Sequence, residues 1–180
     1  MRKFFYSITI ILIVLMIHFE AKCQSESTID LLSVFGYDIL PKDAKISNPT
    51  TLFLDSLQII KKFGKPKSVS YEKAEMFDNQ LVSQYNYKGA TVSYMANKIL
   101  EIRIINSDYV FKLLDGSVTI KVGDNTSTLQ HLFPNSWRLR RVGKVFVQLK
   151  NKNLVVDCNL LFEFNKAGII TAFSFNENNS

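Results

Sequence analysis

The chain has 180 residues, 47% of them hydrophobic, and a formal net charge of +6. A chain of this length can bury most of its unfolded surface without a metal or disulfide staple. Its two cysteines and two histidines supply neither a disulfide framework nor a typical zinc ligand set. The positive excess is modest and is not gathered into one dense stripe, which argues against nucleic acid as a partner.

Residues 1–23 have the pattern of a secretory signal. Arg2 and Lys3 precede an apolar run that ends near Phe19, and that run is shorter than the about 20 residues of a membrane-spanning helix. We predict cleavage after Cys23; the alternatives are a retained anchor or a lipidated Cys23. The prediction is an exported protein, periplasmic or secreted, that contacts a membrane only through an uncleaved or lipidated N-terminus.

Residues 24–48 form a predicted lead-in that packs one short element on the main body. The first predicted repeat, 49–106, opens with a helix, because Asp55 followed by Gln58 is a capping-box pattern. Gly64 and Pro66 end this helix. Its predicted buried face consists of Leu57, Ile60 and Phe63.

Four strands are predicted to follow this helix, near 68–72, 80–87, 90–96 and 99–106. In the last of them apolar and charged residues alternate, which predicts one buried face. These strands would form an antiparallel meander over the helix.

The second predicted repeat covers 107–180. It begins with a hairpin around Asp115–Gly116, continues with a short helix over 126–133, and ends in strands near 136–142, 145–149, 154–164 and 169–175. Leu57–Gln58 matches Leu129–Gln130 at nearly the spacing that relates Ile102 to Phe173, which indicates duplication. The predicted fold class is therefore α+β: two tandem repeats, each a short helix followed by a four-stranded antiparallel meander.

A resemblance follows from these motifs. Tandem helix-plus-meander units with Phe63-Gly64-Lys65-Pro66 in the first and Phe133-Pro134 in the second resemble the β-lactamase-inhibitor-protein fold. They also resemble the small outer-membrane-assembly lipoprotein domain (SmpA/OmlA type). The second unit departs from the motif, since its glycine is missing. The resemblance implies an exported protein that binds other proteins through an exposed sheet face, without catalysis.

The sequence offers little for catalysis, and no catalytic residue, cofactor or metal site is predicted. His131 stands in a short helix without a nucleophile motif beside it. Cys158 alternates with large apolar residues, so we predict a thiol that fills the core as a small hydrophobe with a raised pKa, which is unlike a reactive thiolate.

One candidate interaction surface is basic. Trp137, Arg138, Arg140, Arg141 and Lys144 lie on a predicted hairpin that could bind an acidic protein or anionic envelope sugars. The alternative is an edge hairpin whose charges prevent sheet-to-sheet aggregation.

The other candidate surface is aromatic. Tyr85, Tyr87 and Tyr94 stand among Ser, Asn and Gln, a composition suited to protein recognition. The alternative places these tyrosines half-buried against the helix. Together the patterns predict a non-enzymatic binding module, protein-interacting or inhibitor-like, whose partner is another protein of the envelope or exterior. An envelope-associated ligand, glycan or polyanion binder is the second hypothesis.

Overall fold

The structure is a computed structural model that describes residues 29–45, 51–74 and 80–177. The predicted signal segment with Cys23, and the predicted start of the first repeat near Pro49, lie outside these residues. Nowhere in the described ranges is there a helix long and apolar enough to cross a membrane. The architecture is mixed α+β and mostly sheet, as predicted at that level.

The elements, in chain order, are short helices between strands. Those of the first half are β1 (Leu31–Ser33), β2 (Tyr37–Pro41), a 3₁₀ turn (Thr51–Phe53), α1 (Ser56–Phe63), β3 (Ser68–Ala74), β4 (Gln80–Asn86), β5 (Ala90–Met95) and β6 (Lys98–Ile104). Those of the second half are β7 (Tyr109–Leu113), β8 (Thr119–Lys121), α2 (Ser127–Leu132), α3 (Pro134–Arg138), β9 (Lys144–Asn151), β10 (Leu154–Phe164) and β11 (Ile170–Glu177).

The strands form two sheets. The large sheet has eight strands in the order β1-β9-β10-β11-β6-β5-β4-β3, and the small sheet has the order β2-β7-β8. The predicted meander β3-β4-β5-β6 and the predicted β7–β8 hairpin are both present. The lead-in supplies a strand to each sheet rather than one packed element, since β1 pairs with β9 and β2 with β7.

The strand predicted near 136–142 is wrong. Residues 134–138 form α3, with Pro134 in its first turn, where proline's fixed φ suits a helix and its missing N–H costs nothing. The carboxylate of Asp30 accepts the backbone N–H of Ser136 at 2.7 Å, and the N–H of Asp30 donates to the Ser136 hydroxyl at 3.0 Å. This distant cap stabilises the helix. The second unit consequently has three consecutive strands, and β1 pairs with β9 in parallel as the outer strand.

Helix α1 has the predicted capping box between Asp55 and Gln58. Its buried face was predicted correctly at Phe63 but not at Leu57, which is 76% exposed, because Ile59 is the second buried residue of the helix. Leu129 and Phe133 of the second unit are buried at the same spacing of four residues. The two helices therefore match through these buried pairs and not through Leu57 and Leu129.

The register between β6 and β11 is centred on Arg103 and Ser174. Ile102 pairs with Phe175 and Ile104 with Phe173, so Arg103 pairs with Ser174, its own counterpart in the predicted duplication. The register also shifts between Ser93 and Tyr94 and between Glu163 and Phe164. The two-repeat arrangement itself stays a prediction.

The core lies between the small sheet with α1 and α2 on one side and one face of the large sheet on the other. Phe111 of the small sheet meets Phe162 of the large sheet edge to face, with ring centroids 5.6 Å apart. A buried ion pair ties the lead-in to α1: Lys62 Nζ lies 2.7 Å from an Asp38 carboxylate oxygen. The other oxygen accepts the Thr51 N–H at 2.8 Å.

Candidate functional site: the open face of the large sheet

Only one face of the large sheet carries the hydrophobic core of the described structure. Side chains such as Val92, Ile102 and Phe173 point into the core with the helices and the small sheet. The side chains that alternate with them point the other way, and none belongs to the core cluster formed by described residues. We call this second surface the open face.

A continuous line of polar side chains crosses the open face. Each neighbouring pair in the line is a cross-strand partner in the register, and such directly opposed side chains lie about 5 Å apart. We call this line the polar row; from β9 to β3 it consists of Gln148, Asn159, Asn176, Glu101, Ser93, Gln84 and Ser70.

An apolar pair and an ion pair flank the polar row. Phe146 and Leu161 are direct cross-strand partners on the open face, and both are half-buried. Arg103 donates two hydrogen bonds to Glu163, at 2.9 and 3.3 Å. This bidentate contact lowers the pKa of Glu163 and raises that of Arg103. The open face thus combines hydrogen-bonding groups with a small apolar centre.

Glu101 is the one carboxylate of the polar row. Partial burial raises its pKa, and the nearby charge of Arg103 opposes that rise. No described residue donates a hydrogen bond to this carboxylate. Its position between Asn176 and Ser93 therefore presents a desolvated acceptor at the middle of the sheet.

The predicted tyrosine surface is wrong, because these side chains point into the covered face. Tyr87 and Tyr94 are 8% and 3% exposed, and Tyr85 meets Tyr94 edge to face at 5.6 Å. Tyr87 packs on Phe63 of α1. The alternative interpretation, in which the tyrosines pack against the helix, describes the structure better, although burial is deeper than half for two of them.

The residues of the predicted basic hairpin lie partly on a helix and partly in a turn. Trp137 and Arg138 lie on α3, where Trp137 stacks on Phe164 at 5.5 Å. Arg140 covers the Trp137 ring at 4.5 Å and donates to the Trp137 carbonyl oxygen at 2.9 Å. Arg141 and Lys144 close a tight turn through two backbone hydrogen bonds. The strand alternation that was to put Arg138 and Arg140 on one face therefore does not occur.

The remaining chemical candidates are isolated from one another. Cys158 is half-buried, and burial raises its pKa to about 11, in the predicted direction. His131 is exposed on α2. Among residues 29–45, 51–74 and 80–177, no group of three or more His, Cys, Asp or Glu side chains could hold a metal ion.

Comparisons of the chain with protein-family models, with curated proteins and with solved structures found no match.

The polar row was not predicted from the sequence, although the outward positions of most of its residues could be read from the strand patterns. Ser93 and Glu101 each occupy an outward position of a predicted strand, whereas Asn176 directly follows the last predicted strand. Their alignment across the sheet depends on register, and the register follows from the β6–β11 seam and from two bulges. Alternation alone specifies which face a residue occupies but not its neighbours.

Proposed function

We propose that this protein is an exported, non-enzymatic binding module that recognises another protein of the envelope or exterior through the open face. The single observation that carries the proposal is the polar row, which extends over seven adjacent strands on the sheet face that lies outside the core cluster. The export rests on the signal-like residues 1–23.

The open face is large enough for a stable complex. Eight strands have seven spacings of about 4.8 Å, or roughly 34 Å across, and strands of six to eight residues are about 20–25 Å long. A standard protein interface buries about 800 Å² of each partner. One face of this sheet is of that order.

The chemistry of the open face suits a protein partner. The amide and hydroxyl groups of the polar row offer donors and acceptors, and Phe146 with Leu161 offers an apolar centre. Glu101 puts a carboxylate at the middle of the same surface, which disfavours a polyanion there. The glycan or polyanion hypothesis depended on a groove between the basic hairpin and the tyrosines, but residues 134–138 are helical and Tyr87 and Tyr94 are buried.

The test introduces one charged side chain at the apolar centre of the open face. Affinity capture of the purified protein from the envelope and culture fluid of its source first identifies the stable partner. Leu161→Arg then places a charge in the middle of the open face and is expected to weaken binding of that partner at least 30-fold, an amount of about 2 kcal/mol. Titration calorimetry measures the affinity.

Leu57→Arg is the matched control, because Leu57 is 76% exposed on α1, on the covered side of the sheet. This variant is expected to bind normally. Equal binding by both variants, or an equal loss in both at unchanged melting temperature, would contradict the assignment of the open face.

A further inference from the structure

A pocket of about 440 Å³ adjoins the open face near β9 and α3. This size falls within the range of small-molecule sites. The pocket has an apolar wall and a polar wall, and its lining residues are Ile29, Leu139, Phe146, Ser136, Arg141, Gln148 and Asn159.

The polar wall carries one cation that no described carboxylate neutralises. Arg141 has backbone bonds to Lys144, but its guanidinium has no ion-pair partner in the described part of the chain. The side-chain amide of Gln148 likewise has no protein hydrogen bond among the described residues. Asp30 is the nearby acid, and its two oxygens already accept from Ser136 N–H and Asn135 Nδ2.

The apolar wall faces these groups from two directions. Phe146 and Gln148 are successive outward residues of β9, so an aromatic ring and an amide stand side by side on the same strand. Ile29 comes from the lead-in, and Leu139 follows α3; both are partly exposed at 36% and 39%. A ligand here would place a non-polar part between these side chains.

We propose that this pocket binds a small amphipathic monocarboxylate, with the carboxylate on Arg141 and Gln148 and the apolar part against Ile29, Leu139 and Phe146. A guanidinium matches a carboxylate in bidentate geometry. Arg141 is the only cation among the described residues of the lining, which suits one negative charge better than the higher charge of a phosphate. This site shares Phe146, Gln148 and Asn159 with the open face, but its test does not depend on the proposed recognition of a protein partner.

The experiment uses octanoate as the probe and 1-octanol as its neutral counterpart. Octanoate is expected to bind the purified protein and to shift the side-chain amide NMR signals of Gln148 and Asn159, while 1-octanol binds at least tenfold more weakly. Arg141→Ala is expected to weaken octanoate at least tenfold, and Gln148→Leu by a smaller factor.

Arg138→Ala is the matched control, since it removes the same charge from exposed α3 without touching the pocket lining. Normal octanoate affinity in this variant supports the site. The proposal is overturned if octanoate does not bind, if 1-octanol binds equally well, or if Arg138→Ala and Arg141→Ala weaken octanoate by the same factor. Melting curves of each variant verify that it is folded.

Discussion

The buried ion pair of Asp38 and Lys62 gives the first prediction at the scale of single residues. The side chains of Asp38 and Lys62 are 0% and 10% exposed, so removal of either charge takes the oppositely charged partner from a desolvated group. Lys62→Met is expected to lower the free energy of unfolding by about 3 kcal/mol. Urea denaturation at pH 7 measures this loss.

Lys61→Met is the control for that variant. Lys61 is the preceding residue of α1 and is exposed, so the same substitution there is expected to change stability by less than about 0.5 kcal/mol. Equal effects of the two substitutions would show that the ion pair does not stabilise the lead-in against α1.

Two glutamates of the open face are expected to affect stability in opposite directions. The folded-state pKa of Glu101 is raised by burial, so its ionisation costs stability fully above that pKa and nothing below the unfolded value of about 4.3. Glu101→Gln should therefore stabilise the protein at pH 7, with a gain that disappears towards pH 4. Thermal unfolding between pH 3.5 and 7 measures this dependence.

Glu163 provides the comparison, because its pKa is lowered by the hydrogen bonds from Arg103. Its ionisation contributes stability above the unfolded pKa, and that contribution is lost as the pH falls through the folded pKa. Glu163→Gln is expected to destabilise at pH 7 by up to about 1 kcal/mol, since the pair is partly exposed. Changes of the same sign in both variants at pH 7 would contradict this electrostatic description.

At the scale of elements, helix α1 gives a direct comparison between two apolar residues. Ile59 is fully buried, whereas Leu57, two positions earlier, is largely exposed. Ile59→Ala is expected to cost about 2–4 kcal/mol through lost burial and a cavity. Leu57→Ala is expected to cost less than about 0.5 kcal/mol, and chemical denaturation of both variants measures the difference.

A larger loss of stability for Leu57→Ala than for Ile59→Ala would contradict this assignment and would support Leu57 as a buried residue of the helix. The prediction of a buried Leu57 failed because a helix of eight residues offers several apolar faces. Tertiary packing then selects one of them.

Helix α3 shows how far the sequence of one element specifies its structure. Apolar and basic residues alternate from Trp137, which is typical of a strand and led to the strand prediction. Pro134, which favours the start of a helix, indicated the structure that is observed. The decisive contact comes from Asp30, more than a hundred residues earlier in the chain. The sequence pattern of α3 alone cannot predict a cap from a residue so distant in the chain.

The hairpin and meander were predictable for the opposite reason. Asp115–Gly116 and the alternation of β6 are local signals, and both elements pair with their sequence neighbours. The open face was predictable only in part. Residue alternation predicts which side chains lie on it, but their order across the sheet depends on the β6–β11 register.

At the scale of the whole molecule, strand pairing joins the two predicted units into shared sheets. β6 of the first unit pairs with β11 of the second, and β2 of the lead-in pairs with β7. Separate fragments 24–106 and 107–180 would each expose an unpaired inner strand and buried aromatic rings such as Phe111. We expect neither fragment to fold alone and an equimolar mixture to regain dispersed NMR signals.

The cut for this experiment falls in the loop after β6, where Ile105 is 58% exposed. The intact chain is the control for signal dispersion. A cooperatively folded fragment 107–180 would show that the second unit is an independent domain.

The position of β1 has a consequence for the rate of folding. Leu31 pairs with Gln148, so the first described strand acquires its partner only after most of the chain has been synthesised. Pairings so distant in sequence slow folding, because the entropy cost of closing the intervening chain comes before the stabilising contacts of the pair can form. The protein should therefore remain unfolded for longer than its size suggests, with the early strand unpaired until the last quarter of the chain is available.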